Sequence, residues 1–423
     1  MNDVNLSATL PAPRRRPVLG WLAVATAVGA SSLAAGGTSS GMLGAELAGT
    51  DSVAGVPIAA VVVGSAAGAL LISWLTGRLG RGPSLAAGYL VGAAGGVVVA
   101  LSARAGSFTG LVGGCILFGV ANAAVYLTRY AAADIGGPAA RGRSVGGILF
   151  ATAFGAIASP LLLRPSGWVA VRLGLPPLSG MFVVATIICC AAGAALGAVS
   201  TVEAGDGTRP LRHAAGFETS AGARAETGAP TGAVTVAGTL RGRDVRRALV
   251  TMALSNLLMV GVMAVAPVRM AEHGRGLALI GVVISAHVAA MFLPSSLAGW
   301  LADRVDPGAV ARAGMALLLV AGCLGALRPE SGTTFMICAL VLLGAGWNFG
   351  VVGGSTMLIR AVPDRLRVRA EGIGEVGMGF AAAVAAPVAG VLVASGGLAA
   401  VWLAVAVIGL IAVATPHRPG SRF

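Results

Sequence analysis

The chain has 423 residues, 56% hydrophobic and 11% charged, with a mean hydropathy of +0.88, which excludes a soluble domain with a surface to solvate. Its formal charge of +13 arises from 29 basic residues, all arginine, lying mainly between apolar runs; there arginine orients helices, and a nucleic-acid partner is excluded. The five cysteines (Cys115, Cys189, Cys190, Cys323 and Cys338) lie inside apolar runs without metal-ligand spacing or a secreted disulfide pattern, so they read as packed thiols, and neither a metal nor a cofactor is expected.

A bilayer-crossing helix needs about 20 predominantly apolar residues. Such runs are predicted near 18–39, 53–76, 84–103, 107–133, 144–163, 178–200, 246–268, 277–302, 309–327, 333–358, 369–392 and 395–415. Arg14, Arg15 and Arg16 ahead of the first run imitate a signal peptide, but the spans that follow favour an uncleaved first helix. The stretch 201–245 is polar, rich in Gly, Ala, Thr and Arg, and reads as a flexible linker. The expected fold is an all-α membrane protein of twelve transmembrane helices, in two six-helix bundles over 1–200 and 246–423.

With a cytoplasmic N-terminus, 22 arginines fall on the inner side and six on the outer, with Arg129 left within a span. That bias places both termini in the cytoplasm of a multi-pass protein of the inner membrane. The halves also repeat. Ser73-Trp74-Leu75-Thr76-Gly77-Arg78 and Gly299-Trp300-Leu301-Ala302-Asp303-Arg304 end the second helix of each half 226 positions apart, and Arg141-x-Arg143 and Arg367-x-Arg369 follow the fourth helices at the same offset. Two pseudo-symmetric halves make a transporter architecture, with a midplane substrate site between them and alternating access by rocking.

Polar groups inside spans are the candidate functional residues, because a central charge costs about 2.5–3.5 kcal/mol on insertion scales. In the fourth span Asn122 and Tyr126 precede Arg129 by seven and three residues, on one helical face. That stripe reads as substrate-binding, against a snorkelling arginine near the helix end. Asp134, at the cytoplasmic end of the same span near Arg141 and Arg143, reads as part of a gate ion pair. In the seventh span Asn256, Met259 and Met263 share a face, which lines a cavity or simply packs. Trp347 and Asn348 are placed in the cavity from the tenth span, since lipid would not satisfy an amide. His287, amid apolar neighbours in the eighth span, is a candidate titrating group, weighed against a hydrogen-bonded packing role; His273 sits in an outer loop. Small-x-x-x-small arrays such as Gly92-x-x-x-Gly96 allow close helix approach and say nothing about substrate.

Gly299-Trp300-Leu301-Ala302-Asp303-Arg304 resembles the loop signature of the major facilitator superfamily, and 73–81 resembles its first-half copy. The resemblance covers essentially all twelve spans. It extends to a bacterial drug-efflux-like branch through Arg129-Tyr130-Ala131-Ala132-Ala133-Asp134, Ile284-Ser285-Ala286-His287, Gly346-Trp347-Asn348-Phe349 and Gly372-Ile373-Gly374-Glu375. The resemblance implies a gate at Arg78, Asp303 and Arg304. Gly77 stands where the first copy usually has Asp, so the pairing and capping role of that acid falls to Asp303. The efflux-associated pattern of the fifth span is present only in part, as Gly155, Ser159 and Pro160, followed by Leu163 and Arg164. Glu375, one turn after Glu371, resembles an acidic position of the branch and is the preferred proton-coupling residue, against the bland reading of an acid stabilised by a helix N-terminus and by Arg367 or Arg369.

No phosphate loop, zinc triad or Ser-His-Asp set is visible. The expectation is therefore a secondary transporter and not an enzyme, with no catalytic residues. Its partners are a small-molecule substrate, the proton gradient and the bilayer, and it works as a monomer. Export of an amphipathic molecule in exchange for protons stands first. Proton-coupled uptake of a small polar solute is the alternative, followed by a non-transporting sensor or assembly protein.

Overall fold

In lipid every backbone N–H and C=O must be satisfied within its own segment, so apolar runs of this length have helix as their stable option. The computed structural model of the chain describes residues 39–49, 55–158, 163–205, 242–275, 277–327 and 333–415, with positions 20, 22–24, 26–27 and 29–30 in addition. All its described regular elements are helical: α1 (Ser40–Ala48), α2 (Gly55–Leu79), α3 (Arg81–Arg104), α4 (Phe108–Gly136), α5 (Arg141–Ala158), α6 (Leu163–Arg172), α7 (Gly180–Gly205), α8 (Arg243–Glu272), α9 (Leu277–Phe292), α10 (Ser295–Arg304), α11 (Pro307–Leu327), α12 (Thr333–Ala361) and α13 (Asp364–Ala414), apart from two short 3-10 turns. The described positions of the expected first span are helical, with Leu22, Thr26 and Ala30 buried.

The spans follow the apolar runs, with three local differences. The eighth is broken at Leu293 and Pro294 into α9 and α10, because proline supplies no amide hydrogen to the helix ladder. The eleventh and twelfth run on as α13, interrupted only where Gly396 and Gly397 leave helical geometry. Gly397 has φ of 66°, a left-handed conformation that glycine adopts without penalty. The short helices α1 and α6 lie outside the expected spans. Most of the expected linker, 206–241, falls outside the described residues, as do Ser159 and Pro160 of the fifth-span pattern.

The core divides by depth. One buried cluster crosses the two halves, joining Ile72, Leu127, Tyr130 and Val145 to Phe292, Ala298, Trp347, Leu358, Ala370 and Met378. A second lies wholly within the C-terminal half, around Leu258, Val283, Leu318, Leu340 and Trp402, and a third wholly within the N-terminal half, around Leu43, Val61, Val99, Phe118 and Phe182. The halves thus share a core towards the arginine-rich loops and have separate cores towards the opposite face. The shared region is made by α2 on α13 and α5 on α10.

Candidate functional site

Two crossings between the halves position the site. Where α5 meets α10, a methyl group on Gly142 would meet the Gly299 carbonyl oxygen at 2.4 Å, one on Gly299 would meet the Gly142 oxygen at 2.2 Å, and one on Gly146 would meet the Ser295 oxygen at 2.1 Å. Only glycine lets these backbones approach so closely. Asp303, at the end of α10, then reaches the start of α5. It accepts hydrogen bonds from the backbone N–H groups of Gly142 and Arg143, both at 2.8 Å, and pairs with Arg360 at 3.1 Å and Arg143 at 3.6 Å. A carboxylate on a helix N-terminus satisfies otherwise orphaned N–H groups and is favoured by the helix dipole.

The α2–α13 crossing holds the second network. Arg81, at the start of α3, places Nε 2.5 Å from Asp134 of α4 and Nη2 2.7 Å from Glu371 of α13. Arg367 reaches Asp134 at 3.4 Å and also pairs with Asp364. The two networks are charge-inverted relatives: position 77 carries glycine where Asp303 stands in the second half, and Asp134 stands where the second half has Arg360, at the 226-residue offset. In the first half a cation, Arg81, therefore gathers acids, whereas in the second an acid, Asp303, gathers cations and N–H groups.

One helical turn beyond Glu371, Glu375 forms an ion pair with Arg129 of α4. The Arg129 side chain is 1% exposed and that of Glu375 9%. Arg129 also donates to the Tyr130 hydroxyl at 3.2 Å and to the Tyr126 carbonyl at 3.2 Å, and the Tyr130 hydroxyl donates to Glu375 at 3.3 Å. Asn122 and Tyr126 are half-buried on the same face, and Asn122 Oδ1 has no hydrogen-bond partner among the described residues. A buried charge survives only when paired and hydrogen-bonded, which this cluster achieves by joining α4 of one half to α13 of the other.

The remaining expected residues sort by contact. Asn256 donates to the Met378 carbonyl at 2.8 Å and accepts from Trp347 Nε1 at 3.0 Å, extending the polar set from α13 through α8 to α12. Met259 and Met263 are half-buried along α8. Asn348 is fully buried and donates to the Met291 carbonyl at 2.6 Å and to Ser295, so its amide knits α12 to α9 and α10. His287 is 1% exposed, with Nδ1 2.7 Å from the Leu340 carbonyl. Arg78 and Arg304 stand outside both networks: exposed, they lie over the rings of Trp74 and Trp300, 3.8 and 4.9 Å from the centroids. Arg141 is half-buried beside the second network, in the field of Arg367, Asp364 and Asp134. The sequence reading left Arg81, Glu371, Arg360 and Tyr130 out of the site. Its available signal was the four-residue spacing of Glu371 and Glu375, which puts both on one face of a helix.

Residues 248–421 match the family model of the Major Facilitator Superfamily. An uncharacterised MFS-type transporter of Bacillus subtilis, YddS, is 32% identical over 91% of this chain and 86% of its own. The riboflavin transporter RfnT of Brucella anthropi is 27% identical over 95% of both chains. Among solved structures, an MFS transporter crystallised in the outward conformation, FucP, superposes with a TM-score of 0.68 at 14% identity, over 94% of this chain and 96% of that one.

Proposed function

The chain belongs to the major facilitator superfamily and is a multi-pass membrane protein of secondary transport, and on that premise we propose that it exports a small amphipathic molecule across the cytoplasmic membrane in exchange for protons, with Glu375 as the proton-binding group. The observation that carries the reading is the buried Arg129–Glu375 pair bridging the halves. Ionised Glu375 holds the arginine-rich ends together through Arg129. A proton arriving from the opposite face, where the cores are separate, neutralises it and leaves Arg129 without its counter-charge. That weakens the closed arrangement and favours rocking of the halves. When the pair re-forms, the proton has left on the arginine-rich side.

In this reading 1–200 and 246–423 are the moving bodies, 201–245 tethers them, and the monomer is the working unit. The excess of 22 arginines over six supports a cytoplasmic location for the closed end. Substrate is held between the Asn122, Tyr126 and Arg129 stripe and the Asn256, Met259, Met263 and Trp347 face. Asn348 and His287 support that second face from behind. Asp303 and Asp134 act as gate acids, with Arg141 beside them and Arg78 and Arg304 anchoring the gate loops at the membrane surface. The export direction rests on the segments resembling the efflux-like branch.

Uptake of a polar solute is the second reading, favoured by the polar character of the Asn122, Tyr126 and Arg129 stripe and by the relative named as a riboflavin transporter. Both readings are tested by expressing the wild type and Glu375→Gln in an efflux-deficient host, scoring drug susceptibility, and following accumulation of riboflavin and of any protective compound. Protection with lowered accumulation, abolished by Glu375→Gln, supports export. Raised riboflavin accumulation transfers the assignment to uptake. Protection undiminished by Glu375→Gln removes Glu375 from the mechanism.

A further inference from the structure

Glu371 is 1% exposed, more deeply buried than Glu375, and the transport cycle described so far does not use it. Its contacts are unevenly divided between the halves. The cation that touches it, Arg81, belongs to the N-terminal half, at 2.7 Å from one carboxylate oxygen and 3.0 Å from the other. Arg81 has a second acid, Asp134, within its own half at 2.5 Å. Rocking that separates α2 and α3 from α13 therefore leaves Arg81 paired with Asp134 and deprives Glu371 of Arg81. The other charged or titratable groups that face Glu371 are Asp134 and Tyr130 of α4 and, from its own helix, Arg367; Arg367 pairs with Asp364 on that helix and with Asp134 across the seam, and parting removes only the second contact. A small cavity lies between the halves at this point, lined by Ser73, Thr76, Arg81 and Glu371 with Ile72, Leu85, Leu127 and Val368.

We propose that Glu371 is a second proton-binding group of the carrier, taking up a proton from the arginine-rich side when the two halves part there and releasing it when the Arg81 pair re-forms. This rests on the reading of the chain as a proton-coupled carrier, and it adds a site to that cycle. The chemistry is one O–H bond formed on a Glu371 carboxylate oxygen from a hydrated proton of the arginine-rich side, and broken again on closure, when the proton returns to water on that same side. A carboxylate stripped of its cation in a buried site is costly enough that neutralisation is its cheapest relief. A small cavity at the seam lies directly beside this carboxylate. Glu371 and Glu375, on one face of α13, each cross to a different arginine of the other half. Glu375 is neutralised before the halves part and Glu371 after they have parted, so Glu371 holds the parted state and adds nothing to the proton that Glu375 carries across.

Infrared difference spectroscopy tests this on the full chain in nanodiscs, titrated with acid alone from about pH 9 to about pH 5, above the ordinary carboxylate range. Arg81→Gln removes the cation without requiring the halves to move, so its spectrum is expected to gain a protonated-carboxyl band. That band should be absent from Arg81→Gln/Glu371→Gln and absent from Arg81→Lys, which keeps the charge and reports that the fold tolerates the position. Identical spectra for Arg81→Gln and the double variant would overturn the proposal, since Glu371 then stays ionised without its partner. Glu375 is judged separately, by the band that Glu375→Gln removes from the wild type; loss of the Glu371 band with the Glu375 band intact would refute this site and leave the coupling reading standing.

Discussion

Arg129 and Glu375 show how far single residues carry the account. Each is a charge in an apolar run, and each was legible as such from the sequence; their partnership was not, because helical periodicity fixes a face but not the depth of a residue or the helix opposite. Removing one member of a buried pair leaves an uncompensated ion, at a cost of about 3–5 kcal/mol, whereas replacing both by apolar groups of similar volume is often close to neutral. Arg129→Met is therefore expected to be markedly less stable than Arg129→Met/Glu375→Leu, as a double-mutant cycle by thermal unfolding in detergent would measure. Asn348 illustrates the opposite case. The sequence marks it as polar in a span, and the structure commits its amide to Met291 and Ser295. Asn348→Leu should cost about 1–3 kcal/mol by leaving buried acceptors unpaired, read as a lowered unfolding temperature. If the unfolding temperature is unchanged, those bonds contribute nothing net.

Spans were legible because a long apolar run in lipid has helix as its stable option, and their order follows from the hydropathy, whereas the short helices α1 and α6 do not. What the runs conceal is how helices break and cross. The interruption at Gly396 and Gly397 leaves the ladder otherwise continuous, so it reads as a short gap between two spans. At Gly397 an alanine would be held at positive φ with an extended ψ of −168°, a region essentially reserved for glycine, at a cost of about 1–3 kcal/mol, and Gly397→Ala should lower stability by that amount while Gly396→Ala, at φ of −154°, lowers it less. Unfolding of the two variants side by side checks the difference. The α5–α10 crossing makes a stronger demand. Since even a methyl group on Gly299 would meet backbone at 2.2 Å, Gly299→Val should push the halves apart at the arginine-rich end. Spin labels at Leu79 and Arg365 would then report a longer distance population than in the wild type, and an unchanged distribution would show that this crossing does not hold the gate shut.

Across the whole molecule, the duplicated loops at an offset of 226 and the arginine bias gave the two-half plan and an expected orientation. The gate chemistry was less legible, because the two halves solve the same problem with opposite charges. The resemblance pointed to Asp303 and passed over Arg81, whose role becomes visible only when Asp134 and Glu371 are brought around it. The closed arginine-rich end and the separate cores at the other make one account: ionised Glu375 on α13 latches the halves through Arg129, and its protonation releases them. The most direct test of its central claim is proton movement in proteoliposomes loaded with a pH-sensitive dye, started by adding riboflavin and, in parallel, any compound to which the expressed protein confers resistance. The account predicts a substrate-dependent proton flux in the wild type that is lost in Glu375→Gln while the variant remains folded. Substrate movement accompanied by an undiminished proton flux in Glu375→Gln would contradict it.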